Sequence, residues 1–413
     1  MNKQSFANGG AQSPDSPYTM VNYELPFPPQ EYNERYRRVL SAMALKGVDV
    51  TIVTMPRDFS WLTGTRVDYY AAESPQWLVV WDGEPVAIVR RLEAATHRCC
   101  SVVKQWVEYP DEGPINPYDP VLYTANTLKR LGLAQKRIGV NLRVTPVEDY
   151  TRLQSLLPKA RFVDFRVEGI RVRRSELELE CVRRANNVNR AALAATIEAL
   201  EPGWSEWDIV MHLCQGHEER LGDEYFYSAT GATVCQVGEH MLHMHAVRIP
   251  SERKRRRVAR GDGMWLEPGI FVKTYVGCMI RTVWMGEPPQ RVREALDVVQ
   301  EAFDRMVKVL GPGRTAHEVD AVARDYITAK GFEIQHRTGY TANERWTDAG
   351  ILSLTPGNPL VIESGQVFHC PMHVFLPGIG YIGSSEQVLI TKSGCEVLGD
   401  VSVCPRRLYI KNV

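Results

Sequence analysis

Leu200-Glu-Pro-Gly-Trp-Ser205-Glu-Trp-Asp208-Ile209 and, further on, Leu310-Gly-Pro-Gly-Arg-Thr315-Ala-His-Glu318-Val319 read as one pattern used twice. Each begins with an aliphatic residue and a Pro-Gly pair. Each continues with a hydroxyl residue, then an acid three positions later, then another aliphatic residue. Pro-Gly ends a helix, because proline cannot continue it and glycine accepts the left-handed turn that follows. Ser205 or Thr315 then caps the next helix, with Asp208 or Glu318 placed to reach back to the cap. Both copies are followed by helical and then strand-like sequence. The repeat predicts an internal duplication, two α+β halves facing each other across a cleft, where a site is expected.

Upstream of the first copy, Ser175 opens a long run, SELELECVRRANNVNRAALAATIEAL, without glycine or proline. Leu177, Cys181, Ala185, Val188, Ala192 and Ala195 fall at helical spacing, and Ser175 with Glu178 forms a capping box. This helix opens the second domain. Earlier in the chain, helical and strand patterns alternate. Glu31 to Lys46 is helical and ends at Gly47. Val48 to Thr54, Trp77 to Trp81, Pro85 to Val89 and Ile138 to Leu142 read as strands. Asp82-Gly83 joins two of them as a hairpin. That alternation predicts an α/β domain. Residues 1–20 are polar and rich in Gly, Ser, Asn and Pro. They read as a disordered tail, with a dimer-clasping arm as the lesser option. The domains are then 21–168 and 169–413.

The chain has 413 residues, with Lys plus Arg equal to Asp plus Glu at 49 each, which gives no global reason to expect a nucleic acid or an anionic membrane as partner. Nine cysteines, none in a C-x-x-C pair, and the lack of a long apolar run predict a soluble, reduced, cytoplasmic protein.

Several residue groups could carry chemistry. His240-Met-Leu-His243-Met-His245 admits a metal, a proton-transfer or a structural reading; in a strand, His243 and His245 would share a face. Proton transfer is preferred, because no matching Asp/Glu constellation follows. His369 and His373 lie in strand-like sequence, where four positions span about 13 Å, so they cannot share an ion. Arg253-Lys-Arg-Arg-Arg257 reads as a solvated hairpin tip rather than a nucleic-acid patch. Glu267 ends the apolar strand Met264-Trp-Leu266, a costly place for a carboxylate unless it is paired or functional. Lys273 is its expected partner on the same layer.

Gly261-Asp-Gly-Met-Trp-Leu-Glu-Pro-Gly269, Cys278-Met-Ile-Arg281-Thr282-Val-Trp-Met-Gly286, His336-Arg-Thr-Gly339-Tyr340, Glu363-Ser-Gly-Gln-Val-Phe368 and Glu386-Gln-Val-Leu-Ile-Thr391-Lys-Ser-Gly394 resemble motifs of the creatinase/methionine-aminopeptidase superfamily. Trp61-Leu-Thr-Gly64 extends the resemblance into the first domain. It implies an α/β N-terminal domain plus an α+β pita-bread C-terminal domain with internal pseudo-duplication. The superfamily's metallopeptidases hold two metal ions with two aspartates, a histidine and two glutamates. Those positions correspond here to Glu267, Cys278, Tyr340, Pro371 and Ser385. Glu386, one residue off, would restore a ligand only by a register slip. No metal and no cofactor are therefore expected.

Among members without that metal pair, ectoine hydrolases are similar in more places than creatinases. They share the Glu267-x5-Lys273-x-Tyr275 spacing, Arg337-Thr-Gly-Tyr340, Val367-Phe-His369 and the ending Pro405-Arg-Arg-Leu-Tyr-Ile-Lys411. Thr-Ala-Asn-Glu-Arg-Trp346, after Tyr340, departs from their Gly- and Pro-rich sequence. The resemblance implies a metal-independent hydrolase of a C–N bond in a small cyclic amidine or related amide. Glu267, Tyr340, His243 and His245 would be catalytic. His240, Trp265, Lys273, Tyr275, Cys278, Arg337, His369, His373 and Glu386 would contact substrate. Lys273 would tune Glu267 or take a substrate carboxylate. A same-fold lyase, isomerase or cyclase, and a non-catalytic binding protein, are the alternatives. A homodimer is implied as well.

Overall fold

The computed structural model describes residues 25–65, 75–110, 119–222, 226–228, 233–245, 256–342 and 352–412. The expected N-terminal tail, Arg253 to Arg255, and the stretch from Asn343 to Trp346 lie outside them. The chain divides into two compact units, Met1–Val167 and Glu168–Val413.

The first unit is a mixed six-stranded sheet with helices. Its strands are β1 (Val50–Val53), β2 (Trp77–Trp81), β3 (Val86–Arg90), β4 (Gln105–Tyr109), β5 (Arg137–Val140) and β6 (Arg161–Asp164), in the order β4-β3-β2-β1-β5-β6. The strands β2 and β3 form the hairpin expected at Asp82-Gly83. The helices are α1 (Pro29–Leu45), α2 (Pro56–Thr63), α3 (Ala94–Cys99), α4 (Pro120–Arg130) and α5 (Val147–Leu156). Val50, Ile52, Trp77, Val79, Val86, Ile88, Ile138 and Val140 put the sheet into one core with Val121, Ala125, Leu128 and Leu153 of the helices. Such near-continuous apolar strands are what a sheet buried on both faces requires.

The second unit begins with a short helix α6 (Glu168–Arg171) and the long α7 (Glu176–Ala199), then α8 (Glu206–Leu221). Strands β7 (Phe226–Ser228), β8 (Val234–Val237), β9 (Gly263–Glu267), β10 (Gly269–Val272), β11 (Tyr275–Cys278) and β12 (Arg281–Met285) follow. Helices α9 (Gln290–Val307) and α10 (Ala316–Ala329) come next. Strands β13 (Gly339–Thr341), β14 (Ser353–Leu354), β15 (Val367–Leu376), β16 (Gly380–Ile390), β17 (Cys395–Val397) and β18 (Tyr409–Lys411) complete it. They form sheets ordered β11-β10-β7, β18-β12-β9-β8 and β14-β13-β15-β16-β17.

The repeat is built the same way twice. Capping boxes open α8 at Ser205/Asp208 and α10 at Thr315/Glu318. Gly203 N donates to Val258 O at 2.8 Å and Val258 N to Trp204 O at 2.8 Å. In the second copy Gly313 N donates to Ile362 O at 2.9 Å and Ile362 N to Arg314 O at 2.8 Å. The next turn matches too: the Asp262 carboxylate accepts from Ala259 N, and the Gln366 amide oxygen from Glu363 N. Nine residues past Val258 stands Glu267; nine past Ile362 stands Pro371. The two positions are counterparts.

Helix α7 lies directly on β11. A Cβ on Gly277 would come within 2.4 Å of the Ala185 carbonyl carbon and 2.5 Å of Asn186 N, so only glycine permits this approach. Asn189 Nδ2 then donates to Pro268 O at 2.9 Å and Gly277 O at 3.1 Å. Asn186 Nδ2 donates to Gln387 Oε1 at 2.7 Å, and that oxygen also accepts from Cys278 N at 3.2 Å. One helix thus fixes the strand ends around Glu267 and Cys278.

Candidate active site

Glu267 is the last residue of β9 and is buried. Trp265, two residues earlier and therefore on the same face, donates its indole Nε1–H to Glu267 Oε2 at 3.0 Å. Burial pushes the Glu267 carboxyl up to about 7, and the indole bond only partly opposes this. Cys278, at the end of β11, lies close enough to feel the Glu267 charge. Burial, then that charge, holds its thiol well above the ordinary range.

Opposite stands a chain of hydroxyls and an imidazole. Tyr340 of β13 pairs in register with His369 of β15. The Tyr340 hydroxyl bonds His369 Nδ1 at 2.8 Å, and His369 Nε2 bonds Ser385 Oγ at 2.7 Å. Burial, aided by His336, Arg337 and His373, lowers His369 to about 3, so its ring is neutral at neutral pH. A neutral imidazole has one N–H and one acceptor nitrogen, so one hydroxyl donates to it and the other accepts from it. A proton can shift along this line in either direction without leaving a net charge on the ring.

His373, two pairs further along the same face of β15, stacks on His336 with ring centroids 5.5 Å apart. It meets Trp265 and Tyr381 edge-on at 5.6 and 5.5 Å. Its buried Nδ1 has no hydrogen-bond partner among the described residues. Burial lowers His373 to about 3 and His336 to about 4. Glu267, Trp265, His373 and His336 thus make a continuous wall. Arg337 lies over the Tyr340 ring, its Cζ 4.0 Å from the centroid.

Other expected residues sit elsewhere or do other work. His240 lies in a short 3-10 helix, Gly238–Leu242, rather than a strand, and its Nδ1 is bonded to Glu206 at 2.7 Å. His243 and His245 follow in a turn, both exposed, and His245 has a positive φ of 61°. The shared strand face expected of them does not exist. His245 still contributes to the electrostatics of His336 and His373. Lys273 occupies the β10–β11 turn with φ 46°, the whole length of β10 away from Glu267, so the two do not share a layer. Tyr275 is buried and donates its hydroxyl to Glu178 at 2.6 Å, a tie between β11 and α7. Glu386 points to the opposite face of β16 from Ser385. There it is gripped by Arg190 and by Arg281 Nη2, the latter at 2.6 Å. No register slip restores it as a ligand. Of the basic run, Arg256 is pinned to Asp262 at 2.6 Å and Arg257 donates to Gly203 O at 2.5 Å.

Sequence reasoning did not select His336, Ser385, Asn186, Asn189 or Gln387 as working residues. Ser385 had a usable signal, since the resemblance already set it at a ligand position, and the structure pairs it with Pro371. The asparagines are one helical turn apart on α7, but nothing along the chain says what they reach.

The donor set does not fit two hard divalent cations. Pro371 offers no donor atom, and Tyr340 and Ser385 offer neutral hydroxyls. The Cys278 thiol is held protonated. Glu267 is the single carboxylate. Among the described residues, no group of three or more His, Cys, Asp or Glu is placed to hold a metal ion. None of the described helices is long and apolar enough to cross a membrane.

The profile of metallopeptidase family M24 matches residues 180–392, and that of the creatinase/prolidase N-terminal domain matches residues 35–174. An ectoine hydrolase of Halomonas elongata is 27% identical over 95% of this chain and 100% of its own length. An uncharacterized hydrolase/peptidase of Sinorhizobium fredii is 28% identical over 93% and 97%. The X-Pro aminopeptidase of Thermotoga maritima superposes with a TM-score of 0.77 at 19% identity, over 91% of this chain and 99% of its own. The dipeptidase PepE of Mycobacterium ulcerans does so with a TM-score of 0.78 at 21%, over 94% and 100%. A frame shared with these peptidases, a creatinase/prolidase N-terminal domain and a duplicated pita-bread domain together place this chain in metallopeptidase family M24.

Proposed function

We propose that this hydrolase acts without metal on a C–N bond in a small cyclic amidine or a related amide. The observation that carries the reading is the content of the five family metal positions. They hold one buried carboxyl poised near neutrality and two hydroxyls joined through His369. That is a proton-handling set rather than a cation-holding one.

The planar carbon between two nitrogens is the electrophile. Glu267, half-ionised near pH 7, pairs with the positive amidinium and takes a proton from the attacking water. A base tuned to the working pH combines a useful ionised fraction with a strong pull on the proton. Water oxygen bonds to the carbon, a tetrahedral centre forms, and the C–N bond then breaks. Tyr340 donates its phenolic proton to the leaving nitrogen. As the carbonyl forms, its hydroxyl proton returns to Tyr340 through Ser385 and His369. Glu267 passes the proton it took from water to the departing amine, which leaves as an ammonium. The proton-shuttling role expected of a histidine in the 240–245 cluster goes to this line instead, because His240 is tied to Glu206 and His243 and His245 are exposed.

The relative named ectoine hydrolase spans nearly the whole chain, so ectoine is the first compound to try. Ectoine, hydroxyectoine and creatine are incubated with the protein, with and without chelator, and weighed by mass spectrometry. Gain of one water, indifferent to chelator, is expected on at least one. Turnover abolished by chelator would return the site to metal chemistry. A product of unchanged mass would favour an isomerase or cyclase.

A further inference from the structure

We propose that a cavity on the outer face of α8 binds a small organic cation, an ammonium or guanidinium compound. Its lining shares no residue with the candidate active site, and the proposal does not rest on the hydrolase reading.

The cavity has a volume of about 390 Å³ and lies against α8 and the turn before it. Trp204, from the turn, forms one wall. Asp208, Met211, His212, Gln215 and Glu218 follow at three- and four-residue steps along the helix and so share one side of it. The lining holds two carboxylates and no lysine or arginine.

Its nitrogen groups are turned to accept as well. Thr196 spends its hydroxyl hydrogen on Ala192 O at 2.8 Å. It can therefore only accept from His212, whose Nδ1 lies 3.0 Å from Thr196 Oγ1. The neutral His212 ring then carries its hydrogen on Nδ1 and keeps Nε2 as an acceptor. Gln215 turns its amide nitrogen to Glu219 at 2.8 Å. Acceptors and negative charge around an aromatic face suit a ligand that brings N–H donors and a positive charge.

The second copy of the repeat treats its rings differently. There Arg305 Cζ lies 4.1 Å from the centroid of Tyr326 on α10, and Arg291 Cζ 3.8 Å from that of Phe332. No cation among the described residues covers Trp204, whose ring neighbour is His212 with centroids 5.3 Å apart. Arg257 comes near, with Nη1 3.9 Å from Asp208 Oδ2, but that nitrogen donates to Gly203 O at 2.5 Å. An aromatic face beside two acids, left without a cation of the chain's own, is open to one from solution.

The test is nuclear magnetic resonance of the full chain carrying isotope-labelled tryptophan. The nine tryptophans give nine indole signals, and the one lost in Trp204→Phe belongs to Trp204. Butylammonium and butylguanidinium are titrated beside butylurea, the neutral counterpart of the second. At least one cation should move the Trp204 signal and bind about tenfold more tightly than butylurea, the size of one cation–π contact helped by charge. Glu218→Gln changes an exposed residue. It should weaken the cation about two- to fivefold and leave butylurea as it was. A Trp204 signal that neither cation moves, butylurea binding as tightly as the cations, or a cation affinity untouched by Glu218→Gln each overturns the proposal.

Discussion

Glu267 makes opposite demands on stability and chemistry. Its carboxyl is raised from 4.5 in the unfolded chain to about 7 in the folded one. Below pH 4.5 both states are protonated and nothing is lost. Between 4.5 and 7 the unfolded chain releases the proton first, so stability falls as pH rises. Above pH 7 the full cost is present. Glu267→Gln keeps an acceptor for the Trp265 indole and removes the ionisation. It should stabilise the fold by up to about 3 kcal/mol at pH 8 and by almost nothing at pH 4.5. Thermal melts at the two pH values check this; equal shifts at both would show that Glu267 is not buried as described. The same variant should abolish turnover. The buried histidines act with the other sign. His336, His369 and His373 are held well below 6.5, so protonation of the unfolded chain costs stability as pH falls from 6.5 toward 3. At this scale, Glu267, Tyr340 and Cys278 were legible because motifs fix their positions along the chain. Glu386 misled because one residue in a strand reverses the face. His336 was illegible because its stacking on His373 joins segments far apart in sequence.

Elements were read better than the turns between them. The helices at Pro29–Leu45 and Glu176–Ala199, and the strand Trp77–Trp81, fall within two residues of the periodicity that announced them. The His240–His245 stretch did not, because its alternating histidines imitate a strand while Gly238, at φ 58°, starts a tight 3-10 turn. Lys273 was misplaced for a related reason: the six residues from Glu267 run the length of β10 and end in the hairpin turn. The element that matters most to the site is α7. Gly277→Ala would push β11 off the helix backbone and loosen Asn189 from Pro268 and Gly277. We expect a loss of at least ~2 kcal/mol in urea unfolding, since backbone cannot yield as a side chain can. A loss below about 0.5 kcal/mol, the size of an ordinary surface change, would mean that α7 does not press on β11. Proline at 371 is tolerated for an equally local reason. Tyr340 pairs with His369, and β13 begins at Gly339, so β15 has run past its neighbour by residue 371. Across from it, Ser385 N donates to Ile280 O and Ser385 O accepts from Arg281 Nη1. The missing N–H deprives neither strand of a bond.

For the molecule as a whole, the second unit is tied together at Glu386. Arg190 comes from α7 and Arg281 from β12, while Arg190 and Arg281 also donate to Leu398 and Cys404 carbonyls near the end of the chain. Glu386→Ala would leave two buried guanidinium groups without their carboxylate, at a cost of about 3–5 kcal/mol. Denaturant unfolding measures it; a loss under 1 kcal/mol would show that water, not Glu386, satisfies the arginines. The duplication was legible because a Pro-Gly stop and a capping box are written in adjacent residues. The chemistry was less so, because it depends on which side chains meet across three sheets. The paired turns at Gly203–Val258 and Gly313–Ile362 repeat the same two main-chain hydrogen bonds. Their hydrogen bonds ignore what the side chains become, so the frame is inherited separately from the reaction it houses. A descendant can exchange every donor at the five positions and still look, by likeness, like a peptidase.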